Sequence, residues 1–204
     1  MFDSGVTAKE LIEEIRQEAD ISLEIPDENY IAWLNSLEQM LYSEIIKEQG
    51  KRMLDIDAAD FEGVIGLANL DAPDGEDGMR FEDIHAVYRD GTQLIKSTLA
   101  SGVLFPDTYY KISGGIGFTL KETKVDEIKV IYFVRPKLKT IENYNSANVM
   151  LPVEFIDLAK AKLRAEGYKL ANEDNLAAKW INDYNVLVET FRAWVEGKRA
   201  NFGL

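Results

Sequence analysis

The chain has 204 residues, 46% of them apolar and 10% aromatic, enough for one good-sized domain or two small ones and far from the composition of a disordered segment. It has no cysteine, which excludes disulfides and thiolate metal sites, and no apolar run long enough to span a bilayer. A formal charge of −13 argues against gripping nucleic-acid phosphates, because that affinity comes from Lys and Arg displacing counterions; a weakly repelling wall along a DNA passage stays open.

The opening Met1-Phe2-Asp3-Ser4-Gly5 runs into an acidic helical pattern instead of the basic-then-apolar order of a signal peptide, so the expectation is synthesis in the cytoplasm. Thr7-Ala-Lys-Glu10 reads as a capping box, with Leu11, Ile12, Ile15 and Ala19 following at helical spacing. Pro26 and Asp27 suit the start of a second helix, whose apolar face runs Tyr30, Leu34, Leu37, Leu41, Ile45 before a stop at Gly50.

From residue 51 to about 140 the period changes. Phe61, Val64, Ile65, Leu67 and Leu70 give a mixed signal for a short helix or strand, and Ala72 to Gly78 reads as a loop. Ile84–Tyr88 and Gln93–Ile95 flank Asp90-Gly91, a hairpin turn signal, and Tyr109–Ile112 leads through Ser113-Gly114-Gly115 to Ile116–Leu120. Glu127–Val134 is β-branched and aromatic, and Pro136 stops it. These segments predict a small antiparallel sheet.

Helix returns after a polar connector at Asn143–Asn148. Leu151-Pro152 opens one helix, with Phe155, Leu158, Ala159 and Leu163 inward and Gly167 as its end. A last helix from about Asn172 to Arg199 carries Leu176, Trp180, Tyr184, Leu187, Phe191 and Trp194 in steps of three and four. The fold class is therefore α+β: residues 1–50 and 141–204 form a helical bundle, and residues 51–140 form an inserted small antiparallel β-domain. Trp33, Trp180, Tyr184 and Trp194 are the expected core anchors.

Readings that would make the chain a catalyst find little support. His85 is the single histidine and lies in a predicted strand, with no second His or Cys to make an ordinary zinc site. No G-x-S-x-G elbow exists to pair with it. Gly114-Gly115-Ile116-Gly117 lacks the Gly-Lys-Ser/Thr of a phosphate loop and sits between two strands, which favours a hairpin turn. Asp71, Asp74, Glu76, Asp77 and Glu82 have the span of a calcium loop. Pro73 at its third position and Glu76 where glycine is needed argue for a solvated acidic loop. The expectation is a protein that is not an enzyme, with no catalytic residue, no cofactor and no metal.

Taken in order, Ile25-Pro-Asp-Glu-Asn-Tyr-Ile-Ala-Trp-Leu-Asn-Ser-Leu37, Leu54-Asp-Ile-Asp-Ala-Ala-Asp-Phe61, Val130-Ile-Tyr-Phe-Val-Arg-Pro136, Leu151-Pro-Val-Glu-Phe-Ile-Asp-Leu158 and Asn172-Glu-Asp-Asn-Leu-Ala-Ala-Lys-Trp180 resemble the head–tail adaptor (connector, neck) proteins of tailed bacteriophages. The resemblance implies a virion structural protein made in the bacterial cytoplasm. Copies would form a ring beneath the portal protein, contact tail or stopper proteins and continue the DNA channel, without sequence-specific nucleic-acid binding or membrane contact. Ring closure needs head-to-tail faces, and Lys198, Arg199, Phe202 and Leu204, apolar and basic groups past a helix end, are the expected assembly contacts. The competing reading is a non-catalytic binding module whose β insertion recognises a protein or a glycan, with Tyr109, Tyr110 and Tyr132 as stacking residues.

Overall fold

A computed structural model describes residues 2–19, 21, 24–45, 51–57, 63–66, 79–97, 106–120 and 125–202, the last five by their backbone. The fold is mixed α+β, with four α-helices and two four-stranded sheets among the described residues. No helix among them is long and apolar enough to cross a membrane. The chain divides into two compact units, Met1–Ile46 with Leu138–Leu204 and Lys47–Lys137.

In the first unit, α1 (Ala8–Glu18) begins at a complete capping box: the Glu10 amide donates to the Thr7 hydroxyl, and the Thr7 amide donates to the Glu10 carboxylate at 2.8 Å. The same two residues also bond through their side chains; the Thr7 amide first, and its hydroxyl second, lower the Glu10 pKa. α1 buries Ala8, Leu11, Ile12 and Ile15. α2 (Asp27–Met40) buries Tyr30, Ile31, Leu34 and Leu37, then widens into a π-helical turn, Leu41–Ile45, in which Leu41, Tyr42 and Ile45 are buried. A 3₁₀ turn, Val153–Phe155, follows Pro152 and leads into α3 (Ile156–Leu170). α4 (Asp174–Phe202) has 29 residues, about 43 Å of helix at 1.5 Å per residue. α3 packs against α1, α2 and α4.

Gly167 lies inside α3, where the sequence predicts its end. A β-carbon there would meet Ile21 Cδ1 at 2.8 Å and Ile25 Cδ1 at 3.3 Å, so the missing side chain lets the α1–α2 connection approach. The stop is Asn172, in the left-handed region at φ 59°, which asparagine tolerates. α4 is also rotated from expectation. Its buried residues are Ala177, Val188, Phe191 and Val195, while Leu176 is exposed and Trp180, Tyr184 and Leu187 are half-buried. Small side chains on α3 (Ala159, Ala161, Ala165) are buried, and of the α4 aromatics Phe191 is fully buried while Trp180, Tyr184 and Trp194 are half-buried.

The two parts of this unit are joined by backbone. The Ser4 amide donates to the Val149 carbonyl at 3.2 Å, the Val149 amide to Val6 at 2.8 Å and the Ala8 amide to Ala147 at 2.9 Å.

The second unit holds both sheets. One has the order β1 (Lys51–Asp57), β8 (Glu127–Pro136), β3 (Met79–Arg89), β4 (Thr92–Gln93); the other runs β2 (Val64–Gly66), β7 (Gly115–Thr119), β6 (Thr108–Ile112), β5 (Ile95–Lys96). The single antiparallel sheet expected from the sequence is thus two sheets, and β5 pairs with β6 in parallel. The reason lies at Leu94. Its amide donates to the Val87 carbonyl at 2.8 Å and its side chain is buried, after which the chain leaves the first sheet for the second. The turn between β3 and β4 has Asp90 at φ 47° and Gly91 at φ 78°, the two-residue type I′ pattern that Asp-Gly favours. β8 is the centre of its sheet, with Ile128 and Val130 fully buried.

Candidate functional site

Among the described residues the most deeply buried charges are Glu38 of α2 and Lys139, whose side chains form an ion pair and hydrogen bond. The Met150 amide donates to the other Glu38 oxygen at 2.9 Å. One turn earlier, Asn35 bonds the backbone of Lys139 twice: its side-chain amide donates to the Lys139 carbonyl at 2.9 Å, and its oxygen accepts from the Lys139 amide at 2.8 Å. Burial pushes the Glu38 carboxyl up, and the Lys139 ammonium opposes that rise. Each Glu38 oxygen has a partner inside the unit, so the group works as a tie between α2 and the 138–150 segment.

A second polar cluster stands at the start of α2. The Arg16 guanidinium meets Asp27 Oδ1 at 2.6 Å, donates to the Ile25 carbonyl at 2.6 Å and lies 5.4 Å from the centre of the Tyr30 ring. The Tyr144 hydroxyl donates to Asp27 Oδ2 at 2.6 Å, and this bond holds the Asp27 carboxyl below the usual range. Beside it is a recess of about 250 Å³ lined by Arg16, Ala19, Ile21, Glu24, Ile25 and Tyr30. The sequence marks Asp27 as a helix start, and the structure puts Pro26 at the cap and Asp27 in the first turn; nothing in the sequence signals its bond to Tyr144, nor the partners of Glu38 and Arg16.

This unit also holds an open groove of about 510 Å³. Glu18 of α1, Asp157, Lys160 and Arg164 of α3 and Asp183 of α4 supply its charge, and Trp180, Val186 and Leu187 supply apolar wall. Lys160 pairs with Glu14, Arg164 pairs with Glu18, and the Arg164 guanidinium sits 4.6 Å from the centre of the Trp180 ring. The two cations of the groove are therefore engaged within the unit.

The expected core anchors are placed as follows. Trp33 is half-buried, with its ring edge-on to Tyr30 at 5.4 Å. Trp180 lies under Arg164, and Tyr184 has Lys162 Nζ 5.5 Å from its ring centre. Trp194 joins Phe2, Phe155 and Phe191 in one aromatic group, of which Phe191 and Phe155 are the buried members. The side chains of Lys198, Arg199 and Phe202, and Leu204 altogether, lie outside the described residues. So do Asp71, Asp74, Glu76 and Asp77 of the acidic loop.

In the second unit His85 is exposed, its ring 5.2 Å from that of Phe133. Gly114 forms the β6–β7 turn at φ 75°, and Gly117 lies under the Tyr110 ring. The stacking reading for the tyrosines meets an obstacle: Tyr109 and Tyr132 are buried, Tyr132 at an inward position of the alternation in β8, and Tyr110 covers Gly117. Among the described residues no group of three His, Cys, Asp or Glu side chains is placed to hold a metal ion.

No family model matches the chain. A curated protein, elongation factor Tu of the Theileria parva apicoplast, is 29% identical over 168 residues, 76% of this chain. The chain spans 39% of the length of that factor. This corrects the resemblance drawn from segment order: the match is to a translation elongation factor and not to a phage head–tail adaptor. The physical reason is that each segment carrying the resemblance is a cap, an amphipathic turn or a β-branched run, which unrelated chains share. Nor does the match support the expectation of a chain without enzyme activity.

Proposed function

We propose that the chain is a non-catalytic structural protein, a helical bundle with a β-rich insertion that assembles with copies of itself and with protein partners. One observation carries this reading. The most deeply buried acid, Glu38, has one oxygen on the Lys139 ammonium and the other on the Met150 amide, so its charge is spent on holding two chain segments together. A catalytic acid needs at least one face open to a substrate. Exposed apolar residues are present in both units, Val153 and Val186 in the first, Met53, Val64 and Ile95 in the second, and such contacts would draw on them. In this reading the β unit presents its surface to a protein partner.

A second reading, an enzyme acting on a nucleotide, draws on the similarity to an elongation factor. The glycine-rich segment offers it little, since Tyr110 occupies the space above Gly117. Purified chain incubated with magnesium and GTP or ATP decides between them. The structural reading expects no phosphate release and no saturable nucleotide binding by calorimetry. Saturable binding with turnover that follows the protein through purification would remove it.

A further inference from the structure

We infer that α4 carries a self-complementary contact face through which two copies of the chain associate about a twofold axis, with their α4 helices antiparallel. This rests on the assembly reading above and names its partner as a second copy.

The rotation of α4 leaves a line of residues on its solvent side. Leu176, Lys179, Asp183 and Val186 follow at steps of three, four and three, the spacing that keeps residues on one helix face. All four are exposed, Val186 by 66% and Leu176 by 40%. Lys179 and Asp183 make no ion pair among the described residues, and the Lys179 ammonium lies 5.2 Å from the centre of the Trp180 ring.

The order of these residues is what selects the partner. Read along one helix it is apolar, cation, anion, apolar. Read from the opposite direction it is apolar, anion, cation, apolar. Two antiparallel copies centred midway between Lys179 and Asp183 therefore set Leu176 against the other copy's Val186, and Lys179 against the other copy's Asp183. The symmetry then repeats both pairs. An isologous interface requires this self-complementarity, whereas a parallel pairing would set cation on cation and anion on anion. Val186 and Leu187 also form a wall of the 510 Å³ groove, which gives the second copy's Leu176 an apolar recess beside its contact.

The face covers about 15 Å of helix at 1.5 Å per residue, so it buries less than the roughly 800 Å² per partner of a standard interface. A face of this size is expected to associate weakly and reversibly. The net charge of −13 per copy opposes it at low salt, so the measurement belongs at about 0.15 M salt, where the screening length is about 8 Å.

Sedimentation velocity of the full chain over a rising concentration series tests the contact. The wild type is expected to move from monomer to dimer, and Val186→Glu to remain monomeric. Asp183→Lys sets lysine against Lys179 and should weaken the dimer about tenfold or more; Lys179→Glu combined with Asp183→Lys restores the opposite pairing and should recover it. Circular dichroism of each variant confirms that α4 is intact. A wild type that stays monomeric overturns the contact, as does an oligomer unmoved by Val186→Glu or a charge swap that fails to rescue. A wild type that stays monomeric also removes self-association from the assembly reading, whereas an oligomer unmoved by Val186→Glu overturns this contact and leaves that reading standing; nucleotide turnover would remove the reading separately.

Discussion

Tyr110 on β6 lies directly across from Gly117 on β7, so close that a β-carbon on Gly117 would fall 2.4 Å from the tyrosine ring. The glycine is thus a packing partner: its bare face accepts an aromatic ring that shields the backbone. Gly115, two residues earlier, has the same restriction for another reason, since its β-carbon would meet the Ile65 carbonyl at 2.9 Å. Gly117→Ala is expected to displace the Tyr110 ring and destabilise the β unit by about 1–3 kcal/mol, the usual cost of overpacking. Tyr110→Ala combined with Gly117→Ala should cost less than the two single changes summed. Thermal unfolding followed by circular dichroism in the β region measures the coupling.

The buried Glu38–Lys139 pair makes a prediction with a pH signature. Lys139→Met leaves the carboxylate buried with only the Met150 amide, and removing one member of a buried pair costs about 3–5 kcal/mol. Burial already raises the Glu38 pKa, and loss of the ammonium raises it further. A carboxyl whose folded pKa is above its unfolded value favours the folded state below the unfolded value and loses that effect as pH rises through the folded one. The Lys139→Met variant should therefore gain stability on acidification from pH 7 toward pH 5, and Glu38→Met with Lys139→Met should recover most of the loss. Trp33, Trp180 and Trp194 all belong to the helical unit, so tryptophan fluorescence in urea reports on that unit alone.

The Tyr144–Asp27 bond predicts the opposite dependence. Tyr144 is the largest cause of the lowered Asp27 pKa, so Asp27 adds stability above the usual aspartate range near pH 4 and loses it as pH falls through the lower folded value. Tyr144→Phe should lower stability at neutral pH by the loss of this hydrogen bond and narrow the acid-side decline below pH 4. The difference between the wild-type and variant unfolding curves at pH 7 and pH 3 gives the sign directly.

What the sequence makes legible here is local. The Thr7–Glu10 box, the inward line from Tyr30 to Ile45, the Asp90-Gly91 turn and the Glu127–Val134 strand each depend on neighbours a few residues away, and each is found, the strand running on to include Pro136, which pairs with Met79. β1 was not legible as a strand, because Lys51–Asp57 alternates weakly and takes its register from β8, some 76 residues further along. Gly167 misleads for a related cause: glycine marks many helix ends, and only the approach of Ile21 and Ile25 shows why one sits inside α3. The polar clusters are illegible for the same reason. Glu38 meets Lys139 across 101 positions and Tyr144 meets Asp27 across 117, and no pattern of short period encodes such a meeting.

Gly167 itself tests how close that approach is. Alanine gains about 1 kcal/mol over glycine inside a helix, while its β-carbon would press on the Cδ1 ends of Ile21 and Ile25, which can turn aside. The two effects are comparable, so Gly167→Ala is expected to lie within about 1 kcal/mol of the wild type. Gly167→Leu cannot be relieved by moving a side-chain tip and should lose about 3 kcal/mol or more. Ile21→Ala in the Gly167→Ala background opens the space again, and a gain in stability there, beyond the cost of Ile21→Ala alone, identifies the contact as the cause.

The Asp90-Gly91 turn closes the series, because Asp90 acts both through its backbone and through its side chain. Its carboxylate accepts from the amides of Asp126 at 2.9 Å and Glu127 at 2.8 Å, fixing the start of β8 against the β3–β4 turn. Asp90→Gly keeps the left-handed backbone and removes both bonds, whereas Asp90→Asn keeps the conformation and an acceptor oxygen. The glycine variant should therefore lose about 2 kcal/mol from the β unit, two bonds at about 1 kcal/mol each, and the asparagine variant less than half of that. Amide hydrogen exchange at Asp126 and Glu127 separates the two contributions. Faster exchange in Asp90→Gly than in Asp90→Asn, with the rest of β8 unchanged, is the expected pattern, and equal protection in both would assign the turn's stability to its backbone alone.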